Sequence, residues 1–383
     1  MRIAIVHQWF MEAGGAEKVT EVLAQMYPTA DIFALFASLD AVPASIRGRN
    51  LKISFLNRIP GSKKFYKHLL PLYPLGVESL DLRDYDLVIS SDPGPVKGVL
   101  VNENAVHVCY CHTPMRYVWD SYPIYRNRLA LPLRTLFSIE CHYIRQWDYI
   151  AAQRVDCFVA NSTYVAQRIR KYYRRESVVV YPPLDNRRAY LADSTENYYV
   201  TVGRLSHTKR LDVIIRACNQ LKRRLVIVGG GKELRELKSL AGPTVEFTGF
   251  VSESERDSLY ARCRAFLFAA NEDFGIAPLE AQSFGRPVLA YAGGGALETV
   301  IGLTEGGGGV PPTGILFNEQ TPESLVDAIL RFESREKLFD PPLVQEHAQR
   351  FDTNVFVSRM ENIVMSALQR PQMTDTLAQT ATT

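Results

Sequence analysis

The chain has 383 residues, 46% hydrophobic and 22% charged, the make-up of a globular protein long enough for two domains that each bury a core. Its 44 lysines and arginines against 41 acidic residues leave a net charge of +3, which excludes the basic signature of a nucleic-acid-binding domain and confines any basic function to local clusters. Six cysteines are too few for a disulfide framework and point to free thiols, and no window approaches the roughly 20 apolar residues of a membrane span.

Residues 2–6 read as a buried strand, Gly14-Gly15 as a turn and 16–26 as an amphipathic helix, which together open an α/β unit. That first apolar run is too brief for a signal peptide, so a cytoplasmic protein, or one peripheral on the cytoplasmic membrane face, is expected. Further strands are expected at 86–90, 105–111, 155–160 and 177–181, separated by helical or loop-rich stretches. Pro182-Pro183 and the polar run 193–197 read as an interdomain linker. The pattern restarts with a strand at 198–202, Gly203, a helix from about Leu211, a strand at 224–228 and the turn Gly229-Gly230-Gly231. Runs at 245–247, 265–270 and 287–291 continue a second, parallel sheet. A last helical stretch, 345–367, is expected to pack across both domains, and 371–383 reads as a disordered tail. The expected fold class is α/β, with two doubly wound Rossmann-like domains, 1–185 and 198–344, a C-terminal helix 345–370 crossing towards the first domain, and strand ends facing a central cleft that holds the ligand.

The segment Asn271-Glu272-Asp273-Phe274-Gly275-Ile276-Ala277-Pro278-Leu279-Glu280 places two carboxylates around a strand-to-helix turn. Pro278 suits the first helical position and Gly285-Arg286-Pro287 the helix end. The free N–H groups of such a turn, at Gly275, Ile276 and Ala277, carry roughly half a positive charge and attract an anion such as a diphosphate. Glu272 and Glu280 would then face hydroxyls. The plainer alternative makes Glu280 a helix-favouring charge and Glu272 a solvated loop residue.

Taken together, Gly14-Gly15-Ala16-Glu17, Tyr181-Pro182-Pro183, Gly203-Arg204-Leu205 with Lys209, and Glu272 through Glu280 resemble family 4 glycosyltransferases, which have the GT-B fold. Cys111-His112-Thr113-Pro114-Met115-Arg116-Tyr117, with Glu272-Asp273-Phe274-Gly275-Ile276-Ala277-Pro278, is similar more narrowly to bacterial O-antigen and exopolysaccharide mannosyltransferases. The resemblance implies a GDP-mannose donor, retention at the anomeric carbon, no cofactor and no bound metal, and a lipid-linked oligosaccharide acceptor. It assigns Arg204 and Lys209 to the diphosphate, Glu272 to the donor sugar, Glu280 to the ribose, His112 to the sugar from the first domain, and Gly14 and Gly15 to close approach of the diphosphate. A solvated basic loop is the alternative for Arg204 and Lys209, an ordinary histidine for His112, and a plain tight turn for Gly15. A UDP-hexose donor, a non-catalytic sugar-nucleotide-binding protein and a dinucleotide-dependent oxidoreductase are the rival readings.

Other signals carry less. Asp84-Tyr85-Asp86 has the spacing of a metal-holding aspartate pair but precedes a strand rather than following one. His107, Cys109, Cys111 and His112 lack the spacing of a zinc site, and Gly229-Gly230-Gly231 lacks the dinucleotide fingerprint. Residues 58–74 mix Lys63, Lys64 and Lys67 with Phe65, Tyr66, Leu69, Leu70 and Tyr73, which suits an anionic bilayer surface or, equally, a helix with its own solvated basic face. Arg168 to Arg175 reads as a solvated helix end. Glu305 and Gly306 to Gly309, inserted before Thr313-Gly314-Ile315-Leu316-Phe317, are expected to form a mobile loop.

Overall fold

In the computed structural model, which describes residues 1–12, 14–304 and 309–369, the strands form two sheets, and every pairing among the described residues is parallel. The first contains β1 (Ile3–Phe10), β2 (Asp31–Ala37), β3 (Leu51–Ile53), β4 (Leu87–Asp92), β5 (Val106–Cys111), β6 (Cys157–Ala160) and β7 (Val178–Val179), in the order β3-β2-β1-β4-β5-β6-β7. The second contains β8 (Tyr199–Val202), β9 (Leu225–Val228), β10 (Val245–Gly249), β11 (Ala265–Phe268), β12 (Val288–Tyr291) and β13 (Gly314–Phe317), in the order β10-β9-β8-β11-β12-β13.

Strands covered on both faces read as unbroken apolar runs, because successive side chains point to opposite layers and both layers are dry. Ile3 and Ile5 of β1 join one core with Val19 and Leu23 of the helix Gly15–Met26, while Ala4 and Val6 join another with Leu56, Tyr66 and Tyr73. Likewise Ala265 and Leu267 of β11 face one layer, and Phe266 and Phe268 the opposite one. These are the two doubly wound α/β sheets that the alternating pattern predicts.

Several boundaries differ from the sequence reading, each for a physical reason. β1 runs four residues past Val6, because the polar His7 and Gln8 are buried at the sheet centre along with Phe10. The buried runs of β2 and β13 and the short β3 are strands where none was expected. The chain divides into two compact units, Met1–Pro183 with Asn354 onward, and Leu184–Thr353. The polar run 193–197 therefore sits inside the second unit, where the Glu196 N–H donates to the Arg262 carbonyl at 2.7 Å. The expected single helix over 345–367 is two. Pro341–Gln349 belongs to the second unit, and Thr353–Leu368 lays Phe356, Met360 and Val364 into the core of the first. The break follows from Phe351, which is buried 6.0 Å from the Phe274 ring, and from Thr353, whose N–H and hydroxyl both donate to the Leu184 carbonyl. The 371–383 segment and Glu305 to Gly308 of the glycine insertion lie outside the described residues.

The turn Gly229-Gly230-Gly231 lies against the loop that follows β8. The Gly203 N–H donates to the Val228 carbonyl at 3.0 Å, and the Leu205 N–H to the Gly230 carbonyl at 2.9 Å. Gly229 has φ 124°, and a Cβ there would lie 2.1 Å from the Gly203 carbonyl oxygen. Neither the left-handed backbone nor the approach admits a side chain. Gly229→Ala is expected to destabilise the second unit by about 2 kcal/mol or more; an unchanged midpoint in denaturant unfolding would contradict this account of the turn.

Candidate functional site

In each sheet the direction of winding reverses at one place, between β1 and β4 and between β8 and β11. Loops leaving the carboxyl ends of strands at such a reversal diverge, and the crevice they leave is where open α/β sheets bind ligands. The residues singled out from the sequence cluster at these two reversals. Gly203, Arg204 and Lys209 follow β8, Glu272 follows β11, Gly14 and Gly15 follow β1, and His112 follows β5, the neighbour of β4.

In the second unit, Lys209 ends the short turn His207–Lys209, and its ammonium forms an ion pair with the Glu272 carboxylate. Both side chains are 25% exposed, so the pair is reachable from solvent yet partly shielded. The Lys209 Nζ also lies 6.0 Å from the Phe268 ring centroid. Arg204 is exposed at the mouth of the same pocket, which Gly203, Lys209, Phe268 and Ala269 line. The family resemblance assigns Lys209 and Glu272 separate tasks; the structure joins them.

The helix after β11 spans Ile276–Ser283 with Gly275 as its N-cap, so Pro278 is its third residue rather than its first. A helix leaves its first N–H groups without intrahelical acceptors, so Ile276 and Ala277 present donors there, whereas Pro278 has none to give. Glu280 is half-buried, and its Oε2 accepts from the Tyr260 hydroxyl at 2.9 Å. The acidic loop is held from behind by the glycine turn after β12. The Gly295 N–H donates to the Glu272 carbonyl at 2.9 Å, and a Cβ on Gly294, whose φ is 60°, would lie 2.0 Å from that oxygen. The sequence reading did not single out Gly293-Gly294-Gly295, the turn that supports Glu272.

In the first unit, Gly14 caps the helix Gly15–Met26, and Gly15 is its exposed first residue. Behind them runs a chain of polar side chains that the sequence reading missed. His112 Nε2 lies 2.9 Å from Ser91 Oγ, Ser91 Oγ 2.8 Å from Thr20 Oγ1, Thr20 Oγ1 3.0 Å from His7 Nδ1, and His7 Nε2 3.7 Å from Glu17 Oε1. His7 Nδ1 also faces the Ser91 carbonyl at 3.2 Å; a carbonyl can only accept, so this nitrogen carries a proton and Nε2 turns towards Glu17. Burial, aided by the nearby His7, holds the His112 imidazole down at about 3, so it is neutral at physiological pH. Its main chain is pinned as well: its N–H donates to the Asp92 carbonyl and its carbonyl accepts from Asn161 Nδ2, both at 2.9 Å. A Thr at position 20, four residues after Ala16 on the helix face that meets β1, is the one sequence signal that could have pointed to this chain.

Two sequence readings need correction. Arg168 is not a solvated helix end. It is buried, donates to the Thr113 hydroxyl and the Pro114 carbonyl, and pairs with Asp120 at 2.6 Å, which clamps the loop that follows His112. Its position with Val165, Ile169 and Tyr172 at helical spacing placed it on the inner face. Tyr173 is also buried, its hydroxyl donating to Asp148, which pairs with the wholly buried Lys97. In the 58–74 segment Tyr66, Leu70 and Tyr73 belong to the core, so most of its apolar residues point inward, and its lysines face out together with the exposed Phe65. Of the signals set aside, Asp84 pairs with Arg2 at 3.2 Å and Asp86 accepts from the Arg2 N–H, at the opposite strand ends from the glycine turn, while His107 Nε2 meets Ser90 Oγ at 2.8 Å.

Comparison with known proteins accounts for this geometry. Residues 13–188 match the family Glycosyltransferase Family 4, and residues 184–354 match Glycosyl transferases group 1, so the two tile both units. The chain belongs to glycosyltransferase family 4. Among family relatives, it is similar to the alpha-1,3/1,6-mannosyltransferase ALG2 of Kluyveromyces lactis, at 27% identity over 60% of this chain and 55% of that one. It is also similar to the O-antigen chain mannosyltransferase C of Escherichia coli, at 30% identity over 36% of this chain and 42% of that one. The chain thus spans about half the length of these relatives. Solved structures with the same fold include Anabaena Alr3699/HepE in complex with UDP-glucose (17% identity, TM-score 0.68, 96% of this chain and 100% of that one). Sucrose-phosphate synthase of Thermosynechococcus elongatus is another, with 17% identity, a TM-score of 0.70, and 96% of this chain and 99% of that one covered. The family 4 assignment and these neighbours identify the pair of sheets as a GT-B fold.

Burial keeps the His112 ring from taking up a proton, so its imidazole NMR signals are expected to stay those of the neutral ring as the pH falls from about 8 to about 5, where an ordinary histidine titrates near 6.5. A titration near the ordinary value would contradict the burial of this ring.

Proposed function

We propose that the protein is a retaining mannosyltransferase that moves mannose from GDP-mannose to a lipid-linked glycan acceptor in bacterial surface polysaccharide synthesis, working peripherally at the cytoplasmic membrane face. The observation that carries this reading is the Lys209–Glu272 pair beside Arg204 and the helix N-terminus at Ile276. Transfer must stabilise a leaving diphosphate and an electron-poor sugar carbon, and fixed cations and dipoles aimed at the departing charge are the largest lever for that. Arg204, Lys209 and the N–H groups of Ile276 and Ala277 are that lever. As the diphosphate takes up Lys209, the Glu272 carboxylate is released to accept from the donor sugar's hydroxyls. Glu280, oriented by Tyr260, accepts from the ribose hydroxyls. His112, neutral and held by Ser91, offers a ring nitrogen to the sugar without adding a positive charge. Gly14 and Gly15 leave the main chain open to the diphosphate. None of these groups is assigned as a nucleophile or as the base; the leaving phosphate oxygen takes the acceptor proton on the face it departs from.

Mannose as the sugar is supported by the names of the two mannosyltransferase relatives. UDP-glucose is bound in a neighbour of the same fold, and a UDP-hexose is the rival donor. GDP near one hundred times its dissociation constant is expected to stabilise the protein by about 2.7 kcal/mol and raise its melting temperature by a few degrees, with UDP giving no shift. The opposite preference would replace GDP-mannose by the rival. Lys209→Ala is expected to lower turnover by about 10² or more at saturating donor, with the melting temperature retained; turnover close to that of the unaltered protein would remove Lys209 from the mechanism.

A further inference from the structure

The helix Leu133–Gln153 is apolar on two sides. One side places Cys141, Ile144, Ala151 and Ala152 against the first unit. The other carries Leu136, Ile139, Tyr143 and Ile150, each more than half exposed. Their separations of three, four and seven residues set them in one stripe along the helix. Leu131 and Leu133 extend the exposed apolar surface at its start. The neighbouring helix Tyr122–Asn127 exposes Ile124 and Tyr125 too, and it is docked here through Tyr122 stacked on Phe137 and through Arg126, which donates to the Ser138 hydroxyl. Single exposed apolar side chains are ordinary, but a helix normally turns its charged face outward, and a continuous apolar stripe marks a surface that something covers.

The charge around the stripe indicates what covers it. Residues 122–145 hold four arginines, Arg126, Arg128, Arg134 and Arg145, against one carboxylate, Glu140. Three of the four donate to Ser138 or to the carbonyls of Leu129 and Val118, and among the described residues none pairs with a carboxylate. An apolar stripe beside unneutralised guanidinium groups is complementary to a layer whose surface is anionic and whose interior is hydrocarbon. A second copy of the chain fits poorly, because a twofold contact sets the same patch against itself, arginine towards arginine.

We propose that this face docks on an anionic lipid bilayer, with Leu136, Ile139, Tyr143 and Ile150 entering the headgroup region and Arg126, Arg128 and Arg134 meeting the phosphates. The proposal rests on the peripheral attachment inferred above and gives it a surface, distinct from the 58–74 segment. It is tested without nucleotide or acceptor, so its failure and that of the transferase reading are separable. The full chain is sedimented with vesicles of phosphatidylcholine alone or mixed with phosphatidylglycerol. The mixed vesicles are expected to bind it and the neutral ones to bind it at least about tenfold more weakly, with Leu136→Ser combined with Tyr143→Ser, and separately Arg128→Glu, each costing about tenfold or more. Lys63→Glu combined with Lys64→Glu should bind nearly as the unaltered chain does. All variants should keep the melting temperature and the nucleotide-induced shift, since the altered side chains are exposed. Equal binding to both vesicles, no binding to either, unaltered binding by the stripe variant, loss on changing Lys63 and Lys64, or a dimer in light scattering that the stripe variant dissolves would each overturn the proposal.

Discussion

A parallel strand can pair with its neighbour only through a crossover, and a sheet wound outward from its middle in both directions has one place where two successive crossovers part. That constraint organises this protein twice. At β8 and β11 it separates the loop bearing Arg204 and Lys209 from the loop bearing Glu272, so that charges distant in sequence meet over the strand ends. At β1 and β4 it opens the space in which Thr20, Ser91 and His112 come together. Short apolar strands make the floor; the chemistry sits on the loops they release.

Those loops are stiff for a different reason in each unit. In the second, main chain touches main chain: the turn at Gly229 lies on Gly203, and the turn at Gly294 lies on Glu272. Rigidity there comes from the absence of side chains. In the first, it comes from buried polar groups. Asp92 accepts from the N–H groups of Gly94 and Val96, Lys97 joins Asp92 to Asp148, and Arg168 ties down the loop beyond His112. Burial pushes the Asp92 carboxyl up to about 6 even though Lys97 and the N–H of Gly94 draw it down, a sign of how little water reaches this layer. Charges buried this deep are costly unless each meets its partner, so the arrangement tolerates few alternatives.

Much of the fold was legible because parallel strands announce themselves as dry runs, as at β5, β9 and β11, and because glycine and proline mark where they stop. What escaped was polar matter in apolar places. β1 was cut short at Val6 because His7 and Gln8 look like a loop until their burial is known. Arg168 looked solvated because arginine usually is, although its helical register with Val165 and Ile169 placed it inside. At the site, Glu272 and Glu280 stood out as carboxylates around a strand-to-helix turn, whereas Lys209 was singled out by the family resemblance. Neither route could give the contact between Lys209 and Glu272, or the partner of Glu280, because pairing across loops is decided by strand order rather than by local sequence. The register of Pro278 in its helix was misjudged by two residues for a related reason: Gly275, free to turn left-handed, starts the helix earlier than proline alone suggests.

The contact between Lys209 and Glu272 also means that the cation at the mouth of this pocket is never bare. Any anion arriving there competes with a carboxylate tethered a few ångströms away, whose local concentration far exceeds that of a solute. A singly charged anion has little to offer in that exchange. In the proposed reading, a ligand that presents adjoining phosphoryl groups would engage Arg204 and the amide dipoles of the helix start at the same time, and so compensate for the parting of the pair. The resting ion pair would then discriminate by valence and reach before any sugar or base is read.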